Sequence, residues 1–277
     1  MSKDPNGSGT MQSLDRAIRV LDIVAEGDGV SLTHISRRAG LSPSTVHRIL
    51  ATLEQHDLLQ QERDRGHWLI GVRTFQIGNA FLRNRKVSEV ARPFMRDLME
   101  ATGETVSLAI EDDNSAVFIA QLECHSPVRT FHRPGSRVAM HASAVGKALL
   151  ASQDTRAVRR YLEHAGLPKF TDKTMVDPAA FERELLITRQ RGWSLDDEER
   201  IIGMRCVGAA IQNEHCEALA AVSISGPTAR MTPDRISEWG AMVKRCAAAI
   251  TLAIGGGGCV GDIADDTRIL SGAGGKI

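Results

Sequence analysis

The order of short elements between residues 11 and 73 constrains this chain more than any other feature. Leu14, Ile18, Leu21 and Ala25 recur at helical spacing, and Ala17, Val20 and Val24 widen the stripe, so residues 11–26 are expected to form an amphipathic helix. Gly27-Asp28-Gly29 ends it. A second helix opens at the cap residue Ser31, carries Leu32, Ile35 and Ala39, and stops at Gly40. A third opens at Ser42-Pro43, where a proline at the first helical position has no needed N–H to lose. Val46, Ile49, Leu50 and Leu53 make its apolar face. Leu58–Gln61 and His67–Ile70 then flank Arg63-Asp64-Arg65-Gly66, two strand patterns about a glycine-containing turn.

Three helices and a hairpin within about 60 residues is the order of a winged helix-turn-helix. On the third helix, Ser44, Thr45, His47, Arg48 and Thr52 fill the positions its apolar residues leave, and Thr45, Arg48 and Thr52 share a face. Hydroxyls near a helix start, Ser42 included, bond phosphates or bases, and the planar fork of Arg48 suits guanine O6 and N7. From Ser31 to Arg73 six basic residues stand against four acidic ones, a net of +2. Placement matters more than that modest bias: Arg63 and Arg65 sit at the expected wing tip, positioned for a minor groove or a phosphate. The competing reading is a small helical subdomain with a solvated polar face.

The whole chain has 277 residues, 34 basic and 34 acidic, with 42% hydrophobic and 25% charged. Those proportions exclude wholesale disorder and argue against indiscriminate coating of nucleic acid. Ala247–Ile254, the best apolar run, falls well short of the roughly 18 residues of a membrane helix. The first ten residues lack the apolar core of a secretory signal and read as a disordered lead-in. Five scattered cysteines without a C-x-x-C pair predict no disulfide scaffold and a cytoplasmic setting.

Residues 74–90 read as a linker helix that turns basic at Arg83, Arg85 and Lys86. Residues 91–254 read as an α/β or α+β sensor domain. Its expected strands are Thr105–Ile110, Ala116–Leu122, Val207–Ile211 and Ala218–Ser225; its helices lie near 91–102, 144–152, 155–164, 178–191 and 233–253. From Gly255 to residue 277, GGGG and SGAGG mark a flexible tail.

Three segments of the sensor region carry chemistry. Ser143 caps a helix that opens with small residues, which is either an anion site made of free N–H groups or a start built for tight packing. Gly146-Lys147 is not a phosphate loop, because Ala148 stands where a metal-binding hydroxyl belongs. Asp196-Asp197-Glu198-Glu199 forms a run whose last three carboxylates read as a solvated face. Ser223 and Ser225 alternate with Val222 and Ile224, so both hydroxyls share one strand face, lining a small polar cavity or facing water.

L-T-H-I-S-R-R-A-G-L-S-P-S-T-V-H-R-I-L, M-H-A-S-A-V-G-K-A-L-L-A, G-W-S-L-D-D-E-E-R-I-I-G-M-R-C and A-A-V-S-I-S-G-P-T-A-R, in that order, resemble the IclR family of bacterial transcription regulators over residues 11–254. D-R-G-H-W-L-I-G and E-W-G-A-M-V-K are similar to its glyoxylate-responsive members. The resemblance implies an α+β chain: an N-terminal winged helix-turn-helix (11–73), a linker helix (74–90) and a GAF-like α/β effector domain (91–254). It also implies assembly as dimers or dimers of dimers on a palindromic double-stranded DNA operator, a small 2-oxo acid effector, and no cofactor or metal. Position by position it places effector contacts at Ala144, Val145, Asp196, Cys206, Ser223 and Ser225, with Met204 as apolar wall. Val145 is bulkier than the family's smallest residues there, and Pro127–Thr130 departs from the apolar wall segment of close members.

The chemistry fits such a ligand. A carboxylate accepts from the N–H groups of Ala144 and Val145 and from the two serines. Asp196 repels an anion unless it is protonated or accepts from the hydroxyl of a hydrated aldehyde, which glyoxylate offers and pyruvate largely does not. Two other functions compete. A hydrolase would use Cys206 as nucleophile, His141 as base and Asp196 as orienter, a constellation no spacing brings together. A metal or redox sensor would use Cys124-His125 and His215-Cys216, but strand neighbours point to opposite faces, so each pair offers at most one ligand per site.

Overall fold

A computed structural model describes residues 11–62, 64–83 and 87–257, the side chains of 79–83 excepted. The expected lead-in 1–10 and tail beyond residue 257 lie outside them. The chain divides into two compact units, up to Arg85 and from Lys86 onward.

The first unit holds α1 (Gln12–Ala25), α2 (Leu32–Ala39), α3 (Pro43–Gln55), β1 (Leu59–Gln61), β2 (Trp68–Ile70) and α4 (Val72–Arg83). Its caps are those the residue types dictate. Ser31 Oγ accepts from the His34 N–H, Ser42 Oγ accepts from the Thr45 N–H, and Gly40 closes α2 at φ 65°, where only glycine sits without strain. β1 and β2 pair antiparallel, and Val30 adds a bridge to Trp68, so the wing has a third short edge that one isolated valine did not announce. The core of this unit gathers Val20, Val24, Ile35, Val46, Leu50 and Trp68. Here the expected face of α1 is corrected: Val20, Ile23 and Val24 are the buried residues, whereas Leu14 and Ile18 stand 56% and 51% exposed.

The second unit begins with α5 (Val87–Thr102), then β3 (Thr105–Asp112), β4 (Ser115–Leu122), β5 (Arg137–Ala139), α6 (Ala144–Ala151), α7 (Thr155–Ala165) and α8 (Pro178–Arg191). It ends with β6 (Ser194–Asp197), β7 (Met204–Gln212), β8 (Ala218–Pro227) and α9 (Pro233–Ala253). The helix expected over residues 91–102 starts earlier: α5 runs unbroken from Val87 through Pro93. Val87, Ala91, Met95 and Leu98 form one buried stripe on it, enough apolar burial to outweigh the hydrogen bond the proline forfeits.

Six strands form one antiparallel sheet in the order β5-β4-β3-β8-β7-β6. α6 covers one face, and α5 and α9 pack on the sheet as well. Both faces are covered, so Ser223, Ser225, Val222 and Ile224 are all buried, and the serines do not face bulk water. Two strands, β5 and β6, escaped sequence reading; β6 is short, half of it is aspartate, and its pairing to β7 makes it a strand.

Candidate effector cavity and nucleic-acid interface

On α3, Val46 and Leu50 are buried and Ile49 and Leu53 half-buried, which leaves Ser44, His47, Arg48 and Thr52 exposed and Thr45 half-buried. The hydroxyls at the helix start form a small network: Ser42 Oγ lies 3.1 Å from Ser44 Oγ and 2.9 Å from Thr45 Oγ1. Thr52 Oγ1 donates to the Arg48 carbonyl at 2.9 Å, so its exposed side offers lone pairs rather than its proton. The side chains of Arg48 and Arg65 are exposed, and their guanidinium groups make no hydrogen bond or ion pair among the described residues. Arg63 lies outside the described residues.

The sheet register builds the second site. Asp196 on β6 pairs with Cys206 on β7, which pairs with Ser225 on β8, so three polar side chains stand in one row on one face. The neighbouring row is Ser194, Gly208 and Ser223. Above these rows, α6 begins. Ser143 Oγ accepts from the Gly146 N–H at 3.2 Å and its carbonyl from the Lys147 N–H, which leaves the N–H groups of Ala144 and Val145 unclaimed at the helix start. Ser194 Oγ donates to the Ala144 carbonyl at 2.6 Å and ties the helix to the sheet. A Cβ on Gly208 would meet the Ala144 backbone at 3.0 Å, and one on Gly146 would collide with the Met140 backbone. Tight packing and free donors therefore coexist at this helix start.

Ala144, Val145, Asp196, Met204, Cys206, Ser223 and Ser225, the seven expected effector contacts, line one cavity of about 40 Å³. Since a single water needs roughly 10–15 Å³, the space admits a ligand of only a few heavy atoms. The cavity is also lined by Ser143 and by Thr130 of the segment matched to the apolar wall, and by five residues not read as lining from the sequence: Phe118 and Val138 on β4 and β5, His132 after β4, and Arg200 and Ile201 from the turn after β6. Loops carry no periodicity, and only the charge of Arg200 after four carboxylates signalled anything.

Burial raises the Asp196 carboxyl to about 7, opposed by the positive charge of Lys147. Its Oδ1 accepts from the Glu199 N–H at 2.9 Å. Lys147, 0% exposed, donates to Glu199 Oε1 at 2.5 Å. The solvated face expected for 197–199 is thus corrected at Glu199, which is buried because the one lysine of an otherwise apolar α6 requires a counter-charge. Asp197 and Glu198 keep partly exposed ion pairs, to Arg205 and Lys173 and to Lys173 respectively. Burial, reinforced by Arg200, pushes His132 down to about 4, so it is neutral. The ring stacks on Phe118 with centroids 4.0 Å apart.

The hydrolase constellation is not assembled. His141 lies 3.2 Å from the Tyr161 hydroxyl through Nδ1 and 3.0 Å from the Pro168 carbonyl through Nε2, so both ring nitrogens are engaged away from Cys206. Burial first, and then the charge of Asp196, push the Cys206 thiol up, which removes thiolate character. Among the described residues no group of three His, Cys, Asp or Glu side chains is placed to hold a metal ion. No described helix is long and apolar enough to cross a membrane.

A winged helix-turn-helix and a small polar-lined cavity on one chain are the parts of a ligand-responsive DNA-binding regulator. Residues 13–63 match the IclR helix-turn-helix domain and residues 79–252 match the bacterial transcriptional regulator IclR C-terminal domain. The chain is 43% identical to the transcriptional repressor IclR of Escherichia coli over 252 residues, 90% of this chain and 92% of that one. It is 39% identical to the transcriptional repressor AllR of Klebsiella pneumoniae over 254 residues, 91% of this chain and 93% of that one. The solved Thermotoga maritima IclR superposes with a TM-score of 0.78 at 30% identity, covering 89% of this chain and all of that one. The chain belongs to the IclR family: it is an IclR-type DNA-binding transcriptional regulator of mixed α+β fold, and not an enzyme.

Proposed function

We propose that this regulator senses a small 2-oxo acid, glyoxylate first, and controls genes of glyoxylate or related small-acid metabolism. The observation that carries the reading is the convergence of the seven residues that the resemblance implies on one cavity sized for a few heavy atoms. In it the ligand's carboxylate accepts from the Ala144 and Val145 N–H groups and from Ser223 and Ser225. The raised Asp196 carboxyl suits an anionic guest, since in its protonated form it donates to the ligand instead of repelling it. No cofactor takes part. Operator DNA is met by Ser42, Ser44, Thr45, His47, Arg48 and Thr52 of the α3 region, with Arg63 and Arg65 on the wing.

The regulator acts in the cytoplasm as a homodimer or dimer of dimers on a palindromic operator. The uncovered apolar stripe of Leu14 and Ile18 on α1 supports self-association. The effector works by population shift, binding one DNA affinity state better than the other. Titration calorimetry with glyoxylate and pyruvate tests the ligand: glyoxylate is expected to bind more tightly, and a clear preference for pyruvate reverses the order. A gel shift on the DNA flanking its own gene, with and without glyoxylate, tests the coupling.

A further inference from the structure

Every carboxylate near the turn after β6 already has a cation or a backbone donor. Asp197 pairs with Arg205, Glu198 with Lys173, Glu199 with Lys147, and Asp196 accepts from the Glu199 N–H. Arg200 is left over. It is half-buried, it lines the cavity, and among the described residues its guanidinium makes no hydrogen bond or ion pair. An arginine that has lost part of its hydration without gaining a hydrogen-bonded partner is costly, and its planar fork is matched to a carboxylate.

We propose that Arg200 is an effector-binding residue whose guanidinium pairs with the ligand's carboxylate and makes the cavity select monoanionic acids over their neutral isosteres. This rests on the small-acid reading above. The charges around the cavity favour a single negative charge on the guest. Lys147 is neutralised by Glu199, and the His132 ring is neutral. With Asp196 protonated, the Arg200 charge is the one left uncompensated among these groups. One carboxylate balances it; a dianion such as oxalate overshoots.

The test is calorimetry at pH 6.5 with sodium glyoxylate, glyoxylamide and oxalate as probes, on the full chain and on Arg200→Gln and Arg200→Lys. The wild type is expected to prefer glyoxylate to both other probes. Arg200→Gln is expected to weaken glyoxylate by about tenfold or more while changing glyoxylamide little, because a charge-assisted bond is lost. Arg200→Lys, which keeps the charge, recovers part of the loss. Equal thermal unfolding of the variants guards against a folding defect. Glyoxylate binding unchanged in Arg200→Gln overturns the assignment alone, and so does parallel weakening of acid and amide. A wild type that binds no short acid overturns it together with the small-acid reading.

Discussion

Asp196 shows how a single side chain sets conditions for a site. Its carboxyl, 6% exposed, is raised from an ordinary 3.8 to about 7 by burial, against the charges of Lys147 on α6 and Arg200 beyond β6, with Glu199 acting in the raising direction. A carboxyl held high in the fold disfavours the folded state only where the unfolded chain would ionise it. The effect is therefore absent below about pH 4, grows as pH rises to about 7, and is constant above that. Asp196→Asn, an isostere that still accepts from the Glu199 N–H, is expected to gain stability relative to the wild type between pH 5 and 8. The limit is of order 4 kcal/mol. Urea midpoints at the two pH values measure it, and a gap that narrows as pH rises contradicts the burial of this group. Asp196 was legible as a candidate from motif position; Lys147 and Glu199 were not, because a lysine and an acidic run each read by themselves as surface residues.

At the scale of elements, the caps and the buried faces of α2 and α3 were legible, and the face of α1 was not. Ser31, Ser42-Pro43 and Gly40 mark helix ends by local chemistry that needs no neighbour. α1 carries two adjacent apolar stripes, and only α2 and α3 decide that Val20, Ile23 and Val24 turn inward. β6 likewise exists through its register with β7, which local propensity does not contain. α6 depends on one long-range pair: with all eight residues buried, its only charge is Lys147, matched by Glu199. Lys147→Met leaves Glu199 buried and unpaired and is expected to cost about 3–5 kcal/mol. The double variant Lys147→Met, Glu199→Gln is expected to recover much of that loss. Chemical denaturation of the wild type, the two single variants Lys147→Met and Glu199→Gln and the double variant measures the coupling, and additive losses would show that the pair is not a unit.

At the scale of the molecule, the reading head and the cavity belong to different compact units, so damage to each is expected to be separable. Arg48→Ala removes an exposed guanidinium from α3 and is expected to abolish operator retention in a gel shift while leaving calorimetric affinity for glyoxylate unchanged. Ser225→Ala, in the polar row beside Cys206, is expected to keep the retention and lose the response to glyoxylate. If either substitution abolishes both readouts, the two sites are not independent.

The cavity's volume also sets the sensitivity of the switch. Even the best small ligands gain no more than about 1.5 kcal/mol per non-hydrogen atom, so a guest of about five such atoms is capped near 7–8 kcal/mol, a dissociation constant in the micromolar range or weaker. A chamber so small makes a coarse gauge, indifferent to traces and quick to empty. With the small acid proposed above as its guest, such a gauge is expected to register a metabolite only after flux has let it accumulate.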